Sequence, residues 1–292
     1  MDFGKKNVIR DLSFDIYAGE TFGLLGSNGS GKTTTIRALL GIYLPTRGNL
    51  LINGRIFRPE NGIKLGYLPE ERGLYKKESV IDVMVYFGKL KGLSRQAAHK
   101  WSLDYLDRVG LPDKEKISVD KLSSGEQQKI QLGVTIMNNP ELLILDEPTK
   151  GFDPVNRRLL MDIIDAQKKI GSTVLMVTHQ MEEVERLCDR IILLRDGVSR
   201  AYGTVEEVQD EFGNILIHID HKGKIPQSEK YRIIENGEST AKLEVTMGAD
   251  SAGILRDLME SGVSISKFTP TRKSLDDIFV EIYGNEDLKD AG

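Results

Sequence analysis

A glycine-rich run, Gly26-Ser27-Asn28-Gly29-Ser30-Gly31-Lys32-Thr33, constrains this chain more than any other feature. It meets every fixed position of the pattern G-x-x-x-x-G-K-[ST]. The apolar stretch Thr21-Phe22-Gly23-Leu24-Leu25 before it reads as a buried strand, and Thr33–Leu40 after it has helical character, stopped at Gly41. Glycines let the backbone bend tightly enough to turn successive N–H groups onto a triphosphate, and the following helix aims its first amides at the same anion. Lys32 is expected to reach the β- and γ-phosphates and the Thr33 hydroxyl to ligate Mg²⁺, with Thr34 among the residues that bind the nucleotide. A chain of this length matches the pattern by chance roughly once in a hundred, and a strand before with a helix after is the context it requires. The run therefore points to ATP and Mg²⁺ as ligands.

The acids that should complete such a site lie further on. Leu142-Leu143-Ile144-Leu145 runs straight into Asp146-Glu147-Pro148. An apolar strand that ends in two acids delivers them where parallel sheets bind ligands. Asp146 is expected to hold the metal through water, and Glu147 to act as general base on the attacking water.

Around these motifs the chain reads as α/β. Val8–Ile16 alternates, with Leu12, Phe14 and Ile16 on one face, and predicts a strand. Asn49–Ile52 with Asn53-Gly54 predicts half a hairpin. Val80–Leu90, Arg95–Val109 and Gly125–Asn138 carry helical spacing, as does Pro154–Lys169, which lies between the apolar runs Leu142–Leu145 and Thr173–Val177. That alternation predicts a parallel sheet. Beyond about Gly203 short strand patterns (Ile215–Ile219, Tyr231–Ile234, Ala241–Val245, Ser264–Phe268) and a helix at Ala252–Glu260 suggest a small α+β domain, joined by a linker at Thr204–Phe212. The expected division is 1–205 and 206–292.

Composition excludes several classes. With 39% hydrophobic residues among 292, the chain can bury a sizeable core, and a net charge of −4 supplies no overall field for nucleic acid. Cys188 is the single cysteine, which leaves no internal disulfide and reads as a small buried residue in a helix. No run approaches the roughly 18 apolar residues of a membrane span, so the chain is expected to be soluble, with any membrane association coming from a partner. The start, Met1-Asp2-Phe3-Gly4-Lys5-Lys6, does not read as an apolar signal core.

The order of the glycine-rich loop, Leu122-Ser123-Ser124-Gly125-Glu126-Gln127, Leu142–Pro148, Gly151-Phe152-Asp153 and His179 resembles the ATP-binding cassette (ABC) ATPases over about residues 3–205. Ser123-Ser124-Gly125-Glu126 looks like that family's signature, usually Ser-Gly-Gly-Gln. The resemblance implies a P-loop NTPase cassette, with a mixed sheet core, an antiparallel β part and a helical subdomain at about 74–120. It also implies a homodimer sandwiching two ATP molecules, in which Ser123, Ser124, Gly125 and Glu126 of one copy cap the nucleotide held by the other. Asp153 matches the loop that crosses between the copies. His179 matches the histidine that contacts the γ-phosphate, and Phe3 the aromatic that stacks on adenine. His99, His218 and His221 match nothing. One departure is chemical: the family's usual glutamine, which senses Mg²⁺ and the membrane subunit, is Glu70 here, an acid that can itself ligate Mg²⁺ alongside Thr33 and Asp146.

Tyr67-Leu68-Pro69-Glu70-Glu71-Arg72-Gly73-Leu74-Tyr75 and Ser274-Leu275-Asp276-Asp277-Ile278-Phe279-Val280-Glu281 resemble a subgroup that includes bacterial sodium- and drug-efflux ATPase subunits. This implies export through a separate integral membrane permease, with the cassette on the inner face of the cell membrane and the helical subdomain and Glu70 loop as docking surface. The alternatives are a soluble ABC ATPase acting on ribosomes or DNA, which usually carries two cassettes, and a nucleotide-binding regulator with weak hydrolysis. Residues 206–292 carry no chemical role.

Overall fold

In the computed structural model, residues 1–3, 6–56, 62–71, 73–213, 215–246 and 248–284 are described. The chain divides into two compact units, Met1–Tyr202 and Gly203–Gly292. The first opens with β1 (Asp2–Phe3), β2 (Lys6–Asn7), β3 (Thr21–Leu25), α1 (Lys32–Leu39), β4 (Leu51–Ile52), β5 (Arg55–Ile56) and β6 (Leu65–Leu68). Helices α2 (Val80–Leu90), α3 (Arg95–Arg108) and α4 (Ser124–Ile136) follow. The unit closes with β7 (Leu142–Asp146), α5 (Pro154–Lys169), β8 (Thr173–Val177), α6 (Met181–Leu187), β9 (Arg190–Arg195) and β10 (Val198–Thr204).

The main sheet has the order β10-β9-β3-β8-β7-β6, and β9-β3-β8-β7-β6 pair in parallel. Alternation of side chains explains why its strands read as unbroken apolar runs. Leu143 and Leu145 of β7, with Val174 and Met176 of β8, face a core shared with α2–α5. Leu142 and Ile144, with Leu175 and Val177, face the opposite core beside Phe22, Leu24 and Ile36. Both faces of β7 and β8 are covered, so their interior positions are apolar. The β9–β10 turn, Asp196-Gly197, and the β4–β5 turn, Asn53-Gly54, carry positive φ at both residues, the geometry of a two-residue hairpin.

The long helices fall where their spacing predicts them, with Ser79 and Ser94 accepting N-terminal hydrogen bonds at α2 and α3. Val8–Ile16 departs from expectation. It is not a strand: Asp11 makes a single bridge to Val198. Leu12, Phe14 and Ile16 nevertheless pack inward, and the Phe14 ring stacks on Phe22 at 5.3 Å. Side-chain burial alone produces the alternation there. Cys188 also departs, because it follows α6 as its C-cap and is half-buried; the buried environment pushes its thiol up.

The second unit begins with α7 (Val205–Glu211), then β11 (Leu216–Lys222), β12 (Tyr231–Asn236), β13 (Thr240–Val245), α8 (Ser251–Glu260), β14 (Ser264–Thr271) and α9 (Leu275–Gly284). Its sheet, β12-β13-β11-β14, is antiparallel throughout. Ile217, Ile219, Leu243, Ile254 and Leu258 form its core. The expected linker at Thr204–Phe212 is instead helical. Thr204 and Glu207 form a reciprocal capping box that nucleates α7.

Close packing of α4 on α3 supplies a test of this arrangement. A Cβ at Gly133 would meet the Tyr105 ring at 2.4 Å, and that ring is pinned by its hydroxyl donating to the Lys129 carbonyl at 2.7 Å. Gly133→Ala is expected to destabilise the protein by about 1–3 kcal/mol through overpacking, read as a lowered denaturant midpoint.

Candidate nucleotide site

β3 is buried along its length and ends at Leu25, so the loop Gly26–Gly31 is pinned where the sheet stops. At Gly26 a Cβ would stand 2.4 Å from the Leu194 carbonyl oxygen and 2.5 Å from Ser30 Oγ, so only glycine fits. Gly29 and Gly31 have φ of 82° and 112°, in the left-handed region. Lys32 Nζ donates to the carbonyls of Gly26 at 2.7 Å and Ser27 at 2.9 Å, which folds the ammonium into the loop's concavity. Burial lowers the Lys32 pKa, opposed by Glu147, Asp146 and Glu70.

Two observations fit this loop to an anion. Ser30 Oγ is buried without a hydrogen-bond partner, and Gly31, the N-cap of α1, offers no side chain to the first amides of the helix. Ser27, Asn28, Gly29 and Thr33 are exposed and Thr34 is half-buried.

β7 carries Asp146 to the edge of the sheet, where it is 4% exposed. Its carboxyl is pushed up to about 6, first by burial and then by the charges of Glu70 and Glu147, against Lys32 and Arg37. Glu147 follows with φ 50°, a left-handed conformation that a non-glycine residue holds only under constraint. Its N–H is anchored on the Val177 carbonyl at 2.8 Å. The turn swings the Glu147 side chain onto His179, with Nδ1 to Oε1 at 2.8 Å. A carboxylate only accepts, so His179 Nδ1 carries the hydrogen, and Nε2 accepts from the Gln180 amide at 3.1 Å.

Beneath this pair sits a residue that the sequence reading passed over. Glu183 of α6 is fully buried and accepts from the Thr149 hydroxyl and, at 3.4 Å, from Thr178; Arg157 Nε lies 3.6 Å away. Thr149 is two residues after Glu147 and Thr178 is one before His179, so one carboxylate braces the loops that carry both. Burial is the largest influence on Glu183 and raises its pKa. An acid at the apolar spacing of Met181, Val184 and Leu187 was the available signal. Gln128 and Gln131 of α4 were also missed: their amides donate to the carbonyls of Pro148 and Glu71, each at 3.3 Å.

Glu70 is occupied by Lys150, with Nζ 2.6 Å from Oε1. Ser123 and Glu126 are engaged with each other, as the two halves of the capping box that starts α4. Among the described residues, no hydrogen bond or ion pair joins Ser123–Glu126 to Gly26–Thr33. A Cβ at Gly125 would touch the Phe152 ring at 3.4 Å. Asp153 caps α5 by accepting from the amides of Val155 and Asn156 at 3.0 Å, which holds its carboxyl below the usual range. The Phe3 side chain, expected against adenine, lies outside the described residues.

The family model for ABC transporters matches residues 9–150. An uncharacterized ABC transporter ATP-binding protein of Bacillus subtilis is 40% identical over 97% of this chain and 95% of its own length. The chain belongs to the ABC transporter ATP-binding proteins. The second unit of this ABC ATPase matches the model for the C-terminal domain of DrrA1-3-like ATP-binding proteins at residues 203–283. A Nod factor export ATP-binding protein I of Burkholderia lata is 37% identical over 74% of the chain and 73% of its own. A solved structure of the ATP-binding subunit of an ABC transporter superposes with TM-score 0.65 at 30% identity, over 72% of this chain and 89% of that one.

The raised Asp146 pKa has a stability consequence. The folded protein keeps this proton up to pH about 6, whereas an unfolded chain releases it near about 4. Stability contributed at low pH is therefore lost as pH rises through that window. Asp146→Asn is expected to stabilise the nucleotide-free protein in EDTA by about 1–2 kcal/mol at pH 7. The gain should vanish below about pH 4, checked by denaturant unfolding across pH.

Proposed function

We propose that this ABC ATPase powers export through a separate membrane-spanning partner, hydrolysing ATP in sites shared between two copies of the chain. The observation that carries the hydrolytic reading is the contact of Glu147 with His179 at the edge of the sheet, on the side where Lys32 fills the phosphate loop. Gly26–Thr33, with Thr34, wraps the phosphates, and Lys32 leaves its two carbonyls to reach the β- and γ-phosphates. Glu147 takes a proton from water as the water oxygen attacks the γ-phosphorus. The bond to the β–γ bridging oxygen breaks and its electron pair leaves with ADP. His179, held by Glu147 and Gln180, orients that water against the γ-phosphate.

Thr33 and Asp146 are the proposed Mg²⁺ residues, with Glu70 nearby. Among the described residues no group of three or more His, Cys, Asp or Glu forms a metal site. That suits Mg²⁺, which is usually held by one or two carboxylates together with substrate phosphates. When bound, the ion neutralises charge on the transferring phosphoryl group.

The second copy supplies Ser123, Ser124 and Gly125, at a helix N-terminus suited to an anion, together with Glu126, and Asp153 lies in the loop crossing between copies. The membrane partner docks on the helical subdomain at about 74–120 and the Glu70 loop. Exposed Tyr75 and Tyr86 pack edge-to-face at 5.6 Å, and Leu90 is 65% exposed. This aromatic surface supports a protein partner there. Among the described residues no helix is long and apolar enough to cross a membrane, so a separate spanning subunit is part of the proposal, with the ATPase on the inner face of the cell membrane. Export follows the relatedness to the Nod factor export protein.

Lys32→Ala and Glu147→Gln should each lower Mg²⁺-dependent phosphate release by about 10²-fold or more. Glu147→Gln should also retain ATP and run as a dimer in size-exclusion chromatography. Wild-type turnover in Glu147→Gln would remove it as the base.

A further inference from the structure

β6 and β7 are parallel neighbours with Leu68 opposite Leu145, so the loops that follow them leave the sheet side by side. α4 holds both from beneath, through Gln131 on the Glu71 carbonyl and Gln128 on the Pro148 carbonyl. Between them the side chains of Glu70 and Lys150 close at 2.6 Å. Each is about half exposed, at 47% and 58%. A pair this wet adds little to folding stability.

Its charge is a different matter. Asp146 and Glu147 oppose Lys32 in this site, and Glu70 adds a third acid beside a loop that must accept a polyphosphate. Glu70 is the largest charge acting on Asp146. Left uncompensated, its charge would repel the nucleotide, most strongly at low salt, where screening is weakest. The hydrogen bond and charge of Glu70 raise the Lys150 pKa, with Glu147 and Asp146 acting in the same direction.

We propose that Lys150 is a positioning residue for nucleotide binding: it cancels the charge of Glu70 and ties the loop after β6 to the loop after β7. A neutral residue at position 70 would remove the need for it. The lysine and the acid therefore work as a unit. The inference rests on nucleotide binding at Gly26–Thr33, which the wild-type titration itself reads.

The test is a double-mutant cycle. The full-length wild type, Lys150→Ala, Glu70→Gln and the double variant are titrated with trinitrophenyl-ATP in EDTA, at low and at high salt, with melting curves to establish folding. Lys150→Ala should weaken nucleotide binding by roughly tenfold at low salt, and less at high salt. The double variant should bind as Glu70→Gln does, so that removing the acid rescues loss of the lysine. The reversed pair, Glu70→Lys with Lys150→Glu, should recover affinity relative to Lys150→Glu alone. Wild-type affinity in Lys150→Ala would overturn the proposal. So would a double variant that binds no better than Lys150→Ala.

Discussion

Backbone pairing sets Leu24 of β3, Val177 of β8 and Asp146 of β7 level with one another across three parallel strands. Whatever follows those residues emerges along a single edge. Gly26 comes two residues after Leu24, His179 two after Val177 and Glu147 one after Asp146. The glycine-rich loop, Glu147 and His179 thus converge because three strands end in register. Apolar packing on both faces holds that register, since a slip of one residue would exchange the two faces of every strand.

Around this edge several buried polar side chains hold the loops. Glu183 accepts from a hydroxyl on each of the loops that carry Glu147 and His179, and α4 sends one glutamine amide to the loop after β7 and another to the loop after β6. A buried polar group that loses its partner is costly, so each of these contacts fixes loop backbone that would otherwise be free to move. The left-handed Glu147 is sustained in the same way, by its amide on Val177 and its carboxylate on His179. Strain at Glu147 is held by the hydrogen bonds around it.

Much of this was legible in advance. The glycine pattern declares its loop because it rests on local backbone requirements, and α2, α5 and β8 declare themselves by periodicity over many residues. Where local pattern misled, a competing force explains it. Val8–Ile16 alternates because alternate side chains are buried, yet its backbone finds only one bridging partner in the sheet. Thr204–Phe212 looked like a connector because its helix of about two turns is too short for periodicity to show, although the Thr204 and Glu207 capping pair was present to be read.

The sequence by itself determined the nucleotide loop, the acidic strand end, the signature segment and the family, since each depends on residue types at short, fixed spacing. Only the tertiary structure decided which distant side chains meet: Glu70 with Lys150, Glu147 with His179, and Glu183 with Thr149 and Thr178. Members of these pairs lie between 5 and 80 residues apart. Their meeting is set by strand order and helix packing, which are properties of the whole fold and leave no trace in local spacing.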